Sequence, residues 1–304
     1  MGDEIQVVVT GANSAVGRAI VKATGPEVPG EFRIVAAVRS ERAASSVPPI
    51  PEGRGRIARV DYELPETLLA AVRDASAILH LPGLLVERPN ASYEDAHIRT
   101  TEVALDAARR AGVEKFVLIS AVGADAGSRN RYFRTKGRAE ELVANSGLSY
   151  TILRPPLVLG PGTEGSAALL RSGREALVPL LRSGRVMHQP LDVDDLAAAA
   201  LRATGPDLAR NRCLEVAGPE RLSYRRLVER GSGKRLRVVP IPVAPLRGLL
   251  ALRQRFLGPG FSPDALEVLT TDTRVDSEAA AAELGIELTP LDTTLSKPWS
   301  PRDE

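Results

Sequence analysis

A tyrosine and a lysine in the middle of the chain have the spacing of an acid–base pair. Tyr132 and Lys136 lie four residues apart in a segment with helical periodicity, so both side chains project from one face of the predicted helix. A phenol has an ordinary pKa of about 10, and a neighbouring ammonium group favours the phenolate and lowers that pKa. Ser120 ends the preceding apolar run, where its hydroxyl could hold a substrate oxygen. These residues predict proton transfer to a carbonyl group beside a hydride donor. The alternative is a tyrosine packed under a loop beside a surface lysine.

A glycine-containing turn near the start of the chain could bind a phosphate. Ile5 to Thr10 is an apolar run rich in β-branched residues, as in a buried parallel strand, and the residues after Ala15 recur at helical spacing. Gly11 allows a tight turn, and Gly17 lets the helix pack closely on the strand. Ser14 stands where such turns often have glycine, and its hydroxyl could donate a hydrogen bond to a pyrophosphate. The alternative is an ordinary strand–helix turn with two structural glycines.

Arg39, at the end of the second predicted strand (Phe32 to Val38), indicates the choice of cofactor. In dinucleotide-binding folds this strand end meets the adenosine ribose. An acidic residue there binds the 2′-hydroxyl of NAD, whereas an arginine accommodates the 2′-phosphate of NADP. Arg39 follows Gly17 at the expected spacing of about 20 residues, and no carboxylate precedes it on the strand. The sequence therefore favours NADP(H), against a solvated arginine in an arginine-rich chain.

Two further strands are predicted to end near the cofactor, at the same edge of the sheet as the second strand. Ile57 to Val60 ends in Asp61, which either receives the adenine amino group or caps the helix predicted over Pro65 to Val72, and both interpretations stay open. Ala77 to Leu81 is followed by Pro82, which is predicted under the cofactor ribose where the strand order reverses.

No metal site is predicted. His80 lies within a strand without a second histidine or a carboxylate at ligand spacing, so it is interpreted as a packed core histidine. Asp192 to Asp195 precede a helix and are interpreted as capping residues that match the helix dipole. The single cysteine, Cys213, excludes an internal disulfide framework and a four-cysteine zinc site.

The predicted elements define an α/β fold. Up to Pro156, strands and helices alternate regularly, and the helices over 94–111 and 132–146 each end at a glycine, as a helix C-terminus often does. This alternation is typical of a Rossmann-type, doubly wound parallel sheet. Beyond Pro156 it becomes irregular. We expect residues 1–160 to form an NADP-binding core and residues 161–304 a smaller C-terminal substrate-binding portion interleaved with it.

Three segments of the C-terminal half have distinct patterns. Ala167 to Leu181 is predicted to be helical, and the polar tail after Pro290 is predicted to be loosely held. In 246–257, leucines alternate with Arg247, Arg253 and Arg255. This segment is interpreted as a lid or packing helix, and the alternative is a basic amphipathic helix in peripheral contact with a membrane surface.

The bulk composition indicates a globular protein with a small-molecule partner. The net charge of +2 among 304 residues gives no field that would attract nucleic acid. No apolar run reaches the roughly 18 residues of a membrane span, and the first residues lack the features of a signal peptide, so we expect a cytoplasmic location. The oligomeric state stays open.

The motifs resemble those of the short-chain dehydrogenase/reductase family. They are T-G-A-N-S-A-V-G at 10–17, Ser120, Y-F-R-T-K at 132–136 and S-G-L-S-Y-T-I-L-R-P-P at 146–156. The details are similar to atypical members of that family, the NmrA-like proteins and the related accessory subunit of respiratory complex I. Ser14 departs from the central glycine of the family pattern.

The resemblance implies a Rossmann fold and a role for each matching residue. Ser120 orients the substrate oxygen, Tyr132 acts as general acid and base, and Lys136 binds the ribose and tunes Tyr132. The residues implied to line the cofactor are Gly11, Asn13, Ser14, Ala15, Val16 and Gly17 at the pyrophosphate, Arg39 at the 2′-phosphate, Asp61 near the adenine, and Pro155 beside the nicotinamide.

Two functions are compatible with these observations. The first is an NADPH-dependent reductase that acts on a ketone or other carbonyl of a small organic substrate. The second is an NADP(H)-binding regulator, redox sensor or assembly protein without turnover. Many NmrA-like relatives lack a working tyrosine, so the intact Ser, Tyr and Lys favour the first function. The basic segment 246–257 and the lack of a recognisable substrate signature favour the second.

Overall fold

A computed structural model describes residues 5–24 and 32–299 of the chain. The first half consists of alternating strands and helices, as predicted. These are β1 (Ile5–Thr10), α1 (Ala15–Ala23), β2 (Phe32–Val38), α2 (Glu41–Ala44), β3 (Gly55–Arg59), α3 (Pro65–Val72), β4 (Ala77–His80), α4 (Thr100–Ala111), β5 (Lys115–Ile119), α5 (Arg131–Ala144) and β6 (Ser149–Arg154). A π-helical turn, Glu94–Arg99, leads directly into α4.

The second half has shorter strands and more helices. Its elements are β7 (Val158–Leu159), α6 (Glu164–Arg174), β8 (Val178–Leu181), β9 (Met187–His188), β10 (Leu191–Asp192), α7 (Val193–Arg202), β11 (Arg212–Glu215), β12 (Leu222–Ser223), α8 (Tyr224–Ser232), β13 (Val238–Ile241), α9 (Val243–Leu257), α10 (Pro263–Thr270), α11 (Ser277–Leu284) and α12 (Leu291–Ser296). Within the described ranges, none of the helices combines the length and apolar character needed to cross a bilayer.

A central sheet of seven parallel strands has the order β3-β2-β1-β4-β5-β6-β11. The order reverses between β1 and β4, so the predicted Rossmann-type fold is confirmed. In this register Thr10 pairs with His80, and Ile119 pairs with Leu153. The carboxyl ends of β1, β4, β5 and β6 therefore lie side by side at one edge of the sheet. In open α/β sheets, ligands bind at this edge, next to the reversal.

Helices cover both faces of the sheet, which explains why its strands are nearly continuous apolar runs. On one face, Ile20 of α1 and Leu196 of α7 are fully buried. On the other face, Leu68 of α3 and Leu105 of α4 are buried against alternate strand residues. Both α7 and strand β11 lie beyond residue 160, and yet they belong to this core. The proposed division at residue 160 stays a prediction.

A separate apolar cluster, which includes Leu169, Val178 and Leu227, holds the C-terminal elements together. The path of the chain into this cluster contradicts one prediction. The helix that begins near Ala167 does not continue to Leu181. Instead α6 ends at Arg174 and the next residues form β8, which pairs in parallel with β13. Pro179 is incompatible with a helix interior because it lacks a backbone donor.

The described part of the tail after Pro290, residues 291–299, is held by specific contacts, contrary to the prediction. It forms α12, where Thr294 Oγ1 donates a hydrogen bond to Asp192 Oδ2 at 2.7 Å. The Lys297 ammonium contacts Asp192 Oδ1 at 2.7 Å. Asp192 is also the N-cap of α7, since its carboxylate accepts from the backbone N–H of Asp194. The interpretation of Asp192 as a capping residue is therefore confirmed, and the same side chain anchors the tail.

Candidate active site

The turn between β1 and α1 forms a cradle that only glycine permits. Gly11 has a φ of +68° and lies against the end of β4, since an added Cβ would be 3.2 Å from the carbonyl oxygen of Leu81. An added Cβ on Gly17 would lie 2.5 Å from the Gly11 carbonyl oxygen. The start of α1 is therefore pressed onto the turn, which brings its first N–H groups to the sheet edge.

Ser14 caps α1 in a way that the sequence does not show. Its Oγ accepts a hydrogen bond from the Gly17 N–H at 3.0 Å. Acceptance uses a lone pair, so the hydroxyl hydrogen of this exposed serine is still able to reach a ligand. Ala15 and Val16 are in the first helical turn, where N–H groups have no intrahelical acceptor. Asn13 lies beside them, and its carbonyl accepts from Arg18 at 2.6 Å. These groups fit a pyrophosphate.

A cavity of about 360 Å³ lies at the ends of β2 and β3. Arg39 and Arg59 both line it, with Ser40, Glu41 and Asp61. Arg59 contacts Glu41 at 3.4 Å, whereas Arg39 forms no ion pair in the described part of the chain. Sequence reasoning missed Arg59, although its place at the end of the strand beside Arg39 was a usable signal. Two arginines and two carboxylates line the cavity, and Arg39 is the cation among them that has no ion-pair partner among the described residues.

The structure decides part of the question about Asp61. The N-cap of α3 is Leu64, and Asp61 does not cap that helix. Its Oδ1 instead accepts from the Glu63 N–H at 2.9 Å in the preceding turn. The carboxylate lies at the same cavity as Arg39, so its predicted place near the adenine stays a prediction.

Lys136 connects the ends of two strands. Its buried ammonium group donates to the carbonyl oxygens of Pro82 at 2.6 Å and of Ile119 at 3.2 Å. Burial lowers the pKa of Lys136 to about 8, and the carboxylate of Glu140 opposes that shift. The lysine therefore holds a charge between β4 and β5, directly at the edge that the cradle shares.

Tyr132 lies one helical turn before Lys136 in an aromatic cluster. Its ring makes edge contacts with Tyr93 at 5.7 Å and with His97 at 5.5 Å between ring centroids. Its hydroxyl has no hydrogen-bond partner in the described part of the chain. Burial raises the pKa of Tyr132, and nearby Tyr93 raises it further. The expected lowering by Lys136 is not found, because the ammonium group is directed at two carbonyls.

Ser120 follows β5 and is 5% exposed. Its backbone N–H donates to Leu153 O at 2.8 Å, which fixes the residue at the strand end. Its Oγ is buried without a hydrogen-bond partner among the described residues. A buried hydroxyl without a partner is costly, so this one is suited to receive a ligand. Pro155 is close by, since its carbonyl accepts from the Val122 N–H in the loop after Ser120.

His80 has the structural role that the sequence predicted. It is buried, and its Nδ1 lies 2.7 Å from Thr10 Oγ1 on the neighbouring strand. Burial lowers the pKa of His80 to about 3, and the charge of Lys136 contributes. The imidazole is therefore neutral and joins β1 to β4 beneath the site.

Sequence reasoning missed the partners of Tyr132. His97 is fully buried in the π-helical turn, its ring stacks on Tyr93, and its Nδ1 lies 2.9 Å from Thr135 Oγ1 on α5. Burial lowers the pKa of His97 well below its usual value, and Lys136 adds to the effect. The four-residue spacing of Tyr93 and His97, the same as that of Tyr132 and Lys136, was a signal that could have found the pair.

An ion pair between a buried carboxylate and a half-exposed arginine fixes the start of α5. Glu87 is 5% exposed and binds both terminal nitrogens of Arg131, at 2.7 and 2.9 Å. It also accepts from the Tyr93 N–H at 2.9 Å. Asp264 of α10 accepts from the Arg131 N–H at 3.1 Å, which brings the C-terminal portion to the same point. The guanidinium of Arg131 is thus paired with Glu87 although its side chain is 42% exposed, so it is not a free receptor for an anionic substrate.

Comparisons with known proteins identify similar chains at the level of family and fold. The family model described as NAD(P)H-binding matches residues 11–178. The NADH-ubiquinone oxidoreductase 40 kDa subunit, mitochondrial, of Neurospora crassa is 27% identical over 240 residues, which are 77% of this chain and 63% of that protein. The NADH dehydrogenase (ubiquinone) 1 alpha subcomplex subunit 9, mitochondrial, of Arabidopsis thaliana is 29% identical over 231 residues, which are 70% of this chain and 57% of that protein. The chain thus spans about 60% of the length of these two relatives.

A solved structure gives the same fold. The NADPH-dependent quinone oxidoreductase QOR2 of Escherichia coli, complexed with NADPH, superposes with a TM-score of 0.70 over 95% of this chain and 98% of that chain. The two sequences are 20% identical. At that identity the likeness concerns the fold alone.

Proposed function

Because the chain belongs to the NAD(P)H-binding family, we propose that it is an NADP(H)-dependent oxidoreductase that reduces a carbonyl group of a small organic substrate. One observation carries the proposal. Lys136 lies at the same sheet edge as the Gly11–Gly17 cradle. It is one helical turn from Tyr132, and its ammonium group donates to the carbonyl of Ile119, the residue before Ser120. A proton donor and a phosphate cradle at one edge are what hydride transfer to a carbonyl requires.

Each residue has a defined task in this proposal. The bound cofactor supplies the hydride. Ser120 donates a hydrogen bond to the substrate oxygen, and Tyr132 transfers its proton to that oxygen as negative charge develops there. The raised pKa of Tyr132 keeps the phenol protonated at neutral pH, which is the form that a reduction uses. The ammonium group of Lys136 donates to two carbonyls, so in this proposal it must turn toward Tyr132 in order to stabilise the phenolate left behind.

Arg39 supports NADP(H) as the cofactor. Its guanidinium is exposed at the cavity beyond β2 and has no carboxylate partner in the described ranges. The neighbouring Arg59 is drawn toward Glu41, so Arg39 is the cation that is free to pair with a 2′-phosphate. A planar guanidinium can bind a phosphate through two parallel hydrogen bonds.

A second candidate function is a cofactor-binding subunit without turnover. Two relatives are named as subunits of NADH-ubiquinone oxidoreductase or NADH dehydrogenase, and Lys136 is satisfied by two carbonyls and makes no contact with the Tyr132 hydroxyl. In that case the cradle would bind NADP(H) for structural or sensory purposes.

Two measurements distinguish these functions. Purified protein is first titrated with NADPH and NADH by cofactor fluorescence, and tighter NADPH binding is expected. Turnover of a panel of ketones and quinones is then compared for the wild type, Tyr132→Phe and the control Tyr150→Phe. Tyr150 is at the opposite end of β6, away from the site.

We expect Tyr132→Phe to lower turnover by a factor of about 100 or more, with NADPH affinity unchanged. Tyr150→Phe should keep wild-type turnover. Normal turnover by Tyr132→Phe would rule out the mechanism. NADPH binding without turnover of any substrate in the panel would favour the subunit function, and binding of neither cofactor would contradict both.

A further inference from the structure

Helix α9 has two apolar faces, and only one of them is packed. Leu250 is 8% exposed and faces the interior, where α9 lies against α10. Leu249, Leu252 and Phe256 are 62%, 56% and 73% exposed. Residues at this spacing of three and four lie on one face of a helix. The favoured interpretation of 246–257 as a packing helix therefore accounts for one face and leaves an apolar stripe in solvent.

The surroundings of α9 expose further apolar side chains. Leu257, at the end of the helix, is 73% exposed. Val239 of β13, the strand that leads into α9 through Pro242, is 44% exposed. Isolated exposed hydrophobic residues are normal on a protein surface, whereas a cluster of them marks an interaction site.

The charge of this region has one sign. Residues 231–263 contain no aspartate or glutamate, whereas the whole chain has nearly as many acidic as basic residues. The basic residues of the segment are Lys234, Arg235, Arg237, Arg247, Arg253 and Arg255. Glu267 of the neighbouring helix α10 compensates this charge only weakly, since Arg247 approaches it only to 4.0 Å. An anionic partner would therefore be attracted to α9.

One arginine of α9 has an unsatisfied group. Nη1 of Arg253 is buried without a hydrogen-bond partner in the described part of the chain. Its guanidinium is packed against Gly260, where an added Cβ would be 2.5 Å from Nη1. A buried donor without an acceptor is unfavourable, so an acceptor that reached Nη1 would stabilise the folded state.

We propose that α9 binds an anionic phospholipid surface. The helix lies in the plane of the interface, with Leu249, Leu252 and Phe256 inserted between headgroups and Arg255, which flanks this stripe, at the lipid phosphates. Exposed leucine and phenylalanine beside arginine, in a segment (231–263) without acidic residues, is the composition of interfacial helices. A protein interface would instead have few charges at its core. The proposal uses no contact of the cofactor site, so it stands apart from the proposed reaction.

The test is sedimentation of the full chain with lipid vesicles. The wild type is mixed with vesicles of phosphatidylcholine alone and with vesicles that also contain phosphatidylglycerol, at low and at high salt. We expect co-sedimentation with the anionic vesicles only, and less of it at high salt because screening weakens the attraction.

Two variants sharpen the test. Leu252→Ser with Phe256→Ser should lower partition onto anionic vesicles by a factor of about ten or more. Ile57→Ser is the control, because Ile57 is 44% exposed on strand β3, away from α9. NADPH titration and the thermal midpoint of each variant check that the fold is retained.

Three results would overturn the proposal. The wild type could fail to bind anionic vesicles, or the double variant, folded, could bind them as well as the wild type. The third is a concentration-dependent dimer that the double variant abolishes while vesicle binding is absent, since this would assign the face to a second copy of the chain.

Discussion

The Gly11–Gly17 cradle and the Ser120–Lys136 site share one edge of the sheet but differ in how their polar groups are satisfied. In the cradle, Ser14 and the backbone complete each other's hydrogen bonds, and the shape depends on the absence of side chains. At the second site, the hydroxyls of Ser120 and Tyr132 have no partner among the described residues. The cradle is therefore preformed by the backbone, whereas the chemistry depends on side chains whose partners arrive with the substrate.

Because the cradle has no room for side chains, we expect a single added methyl group there to have the largest effect on NADPH affinity. In Gly17→Ala, the new Cβ would meet the Gly11 carbonyl at 2.5 Å and Ala12 Cα at 2.6 Å, so the turn must open. We expect NADPH affinity to fall by a factor of about 100 or more, because the helix N–H groups no longer converge on the phosphates.

Fluorescence titration measures this change, and Gly248→Ala is the matched control. An added Cβ on Gly248 meets nothing within 4 Å. If Gly17→Ala bound NADPH as tightly as the control does, the cradle would not be the phosphate site.

The buried pair of His80 and Thr10, which joins β4 to β1 beneath the site, predicts that the fold loses stability in acid. Because the pKa of His80 is lowered to about 3 in the folded state, the unfolded chain binds a proton below pH 6.5 that the folded chain does not. Stability is therefore lost as pH falls. From pH 6.5 to 5 we expect His80 to remove about 2 kcal/mol of the free energy of unfolding.

Urea unfolding at several pH values measures this loss. His80→Asn can keep a hydrogen bond to Thr10 but does not titrate, so its stability should fall less steeply over the same range. Equal slopes for the two proteins would show that His80 is not the group responsible.

Arg39, at the cavity beyond β2 and β3, predicts a variant that loses affinity for NADPH but not for NADH. Arg39→Ser should weaken NADPH binding by a factor of about ten and leave NADH binding unchanged, since only NADPH offers a phosphate to the guanidinium. Arg42→Ser, an exposed arginine of α2, is the control. Comparable losses for both cofactors would show that Arg39 does not read the 2′-phosphate.

The smallest effect concerns the charge of Lys136. Its pKa is lowered to about 8, so the ammonium group is present below that pH and is lost above it. If the charge stabilises the Tyr132 phenolate, turnover should decrease about fourfold between pH 7 and 8.5. Lys136→Arg, where it retains activity, should remove this decrease because a guanidinium stays charged. A wild-type profile that stays flat to pH 9.5 would contradict this role.

The parts of the molecule that sequence reasoning predicted well depend on local patterns. Strand Phe32–Val38 and helix Pro65–Val72 form with the predicted bounds, since apolar periodicity and a proline at a helix start are properties of short segments. The Tyr132–Lys136 pair is likewise defined by its spacing within one helix.

The parts that were missed depend on contacts between distant segments. Glu87 and Arg131 lie 44 positions apart, and no spacing rule connects them. Strand β8 exists because Val178 meets Val238, which a periodicity read over 167–181 does not include. The raised pKa of Tyr132 follows from its burial and from the nearby Tyr93, which lies 39 positions earlier in the chain.

The anchoring of Asp192 has a consequence for the order in which the protein is built. Helix α7 covers the cradle helix α1, and its N-cap Asp192 is paired with Lys297, more than 100 positions later. A chain emerging from the ribosome can form β1, α1 and β2 early. However, the cover of α1 stays incompletely fixed until residues 291–297 have been synthesised. Nucleotide binding should therefore mature late in translation, after the sheet itself has assembled.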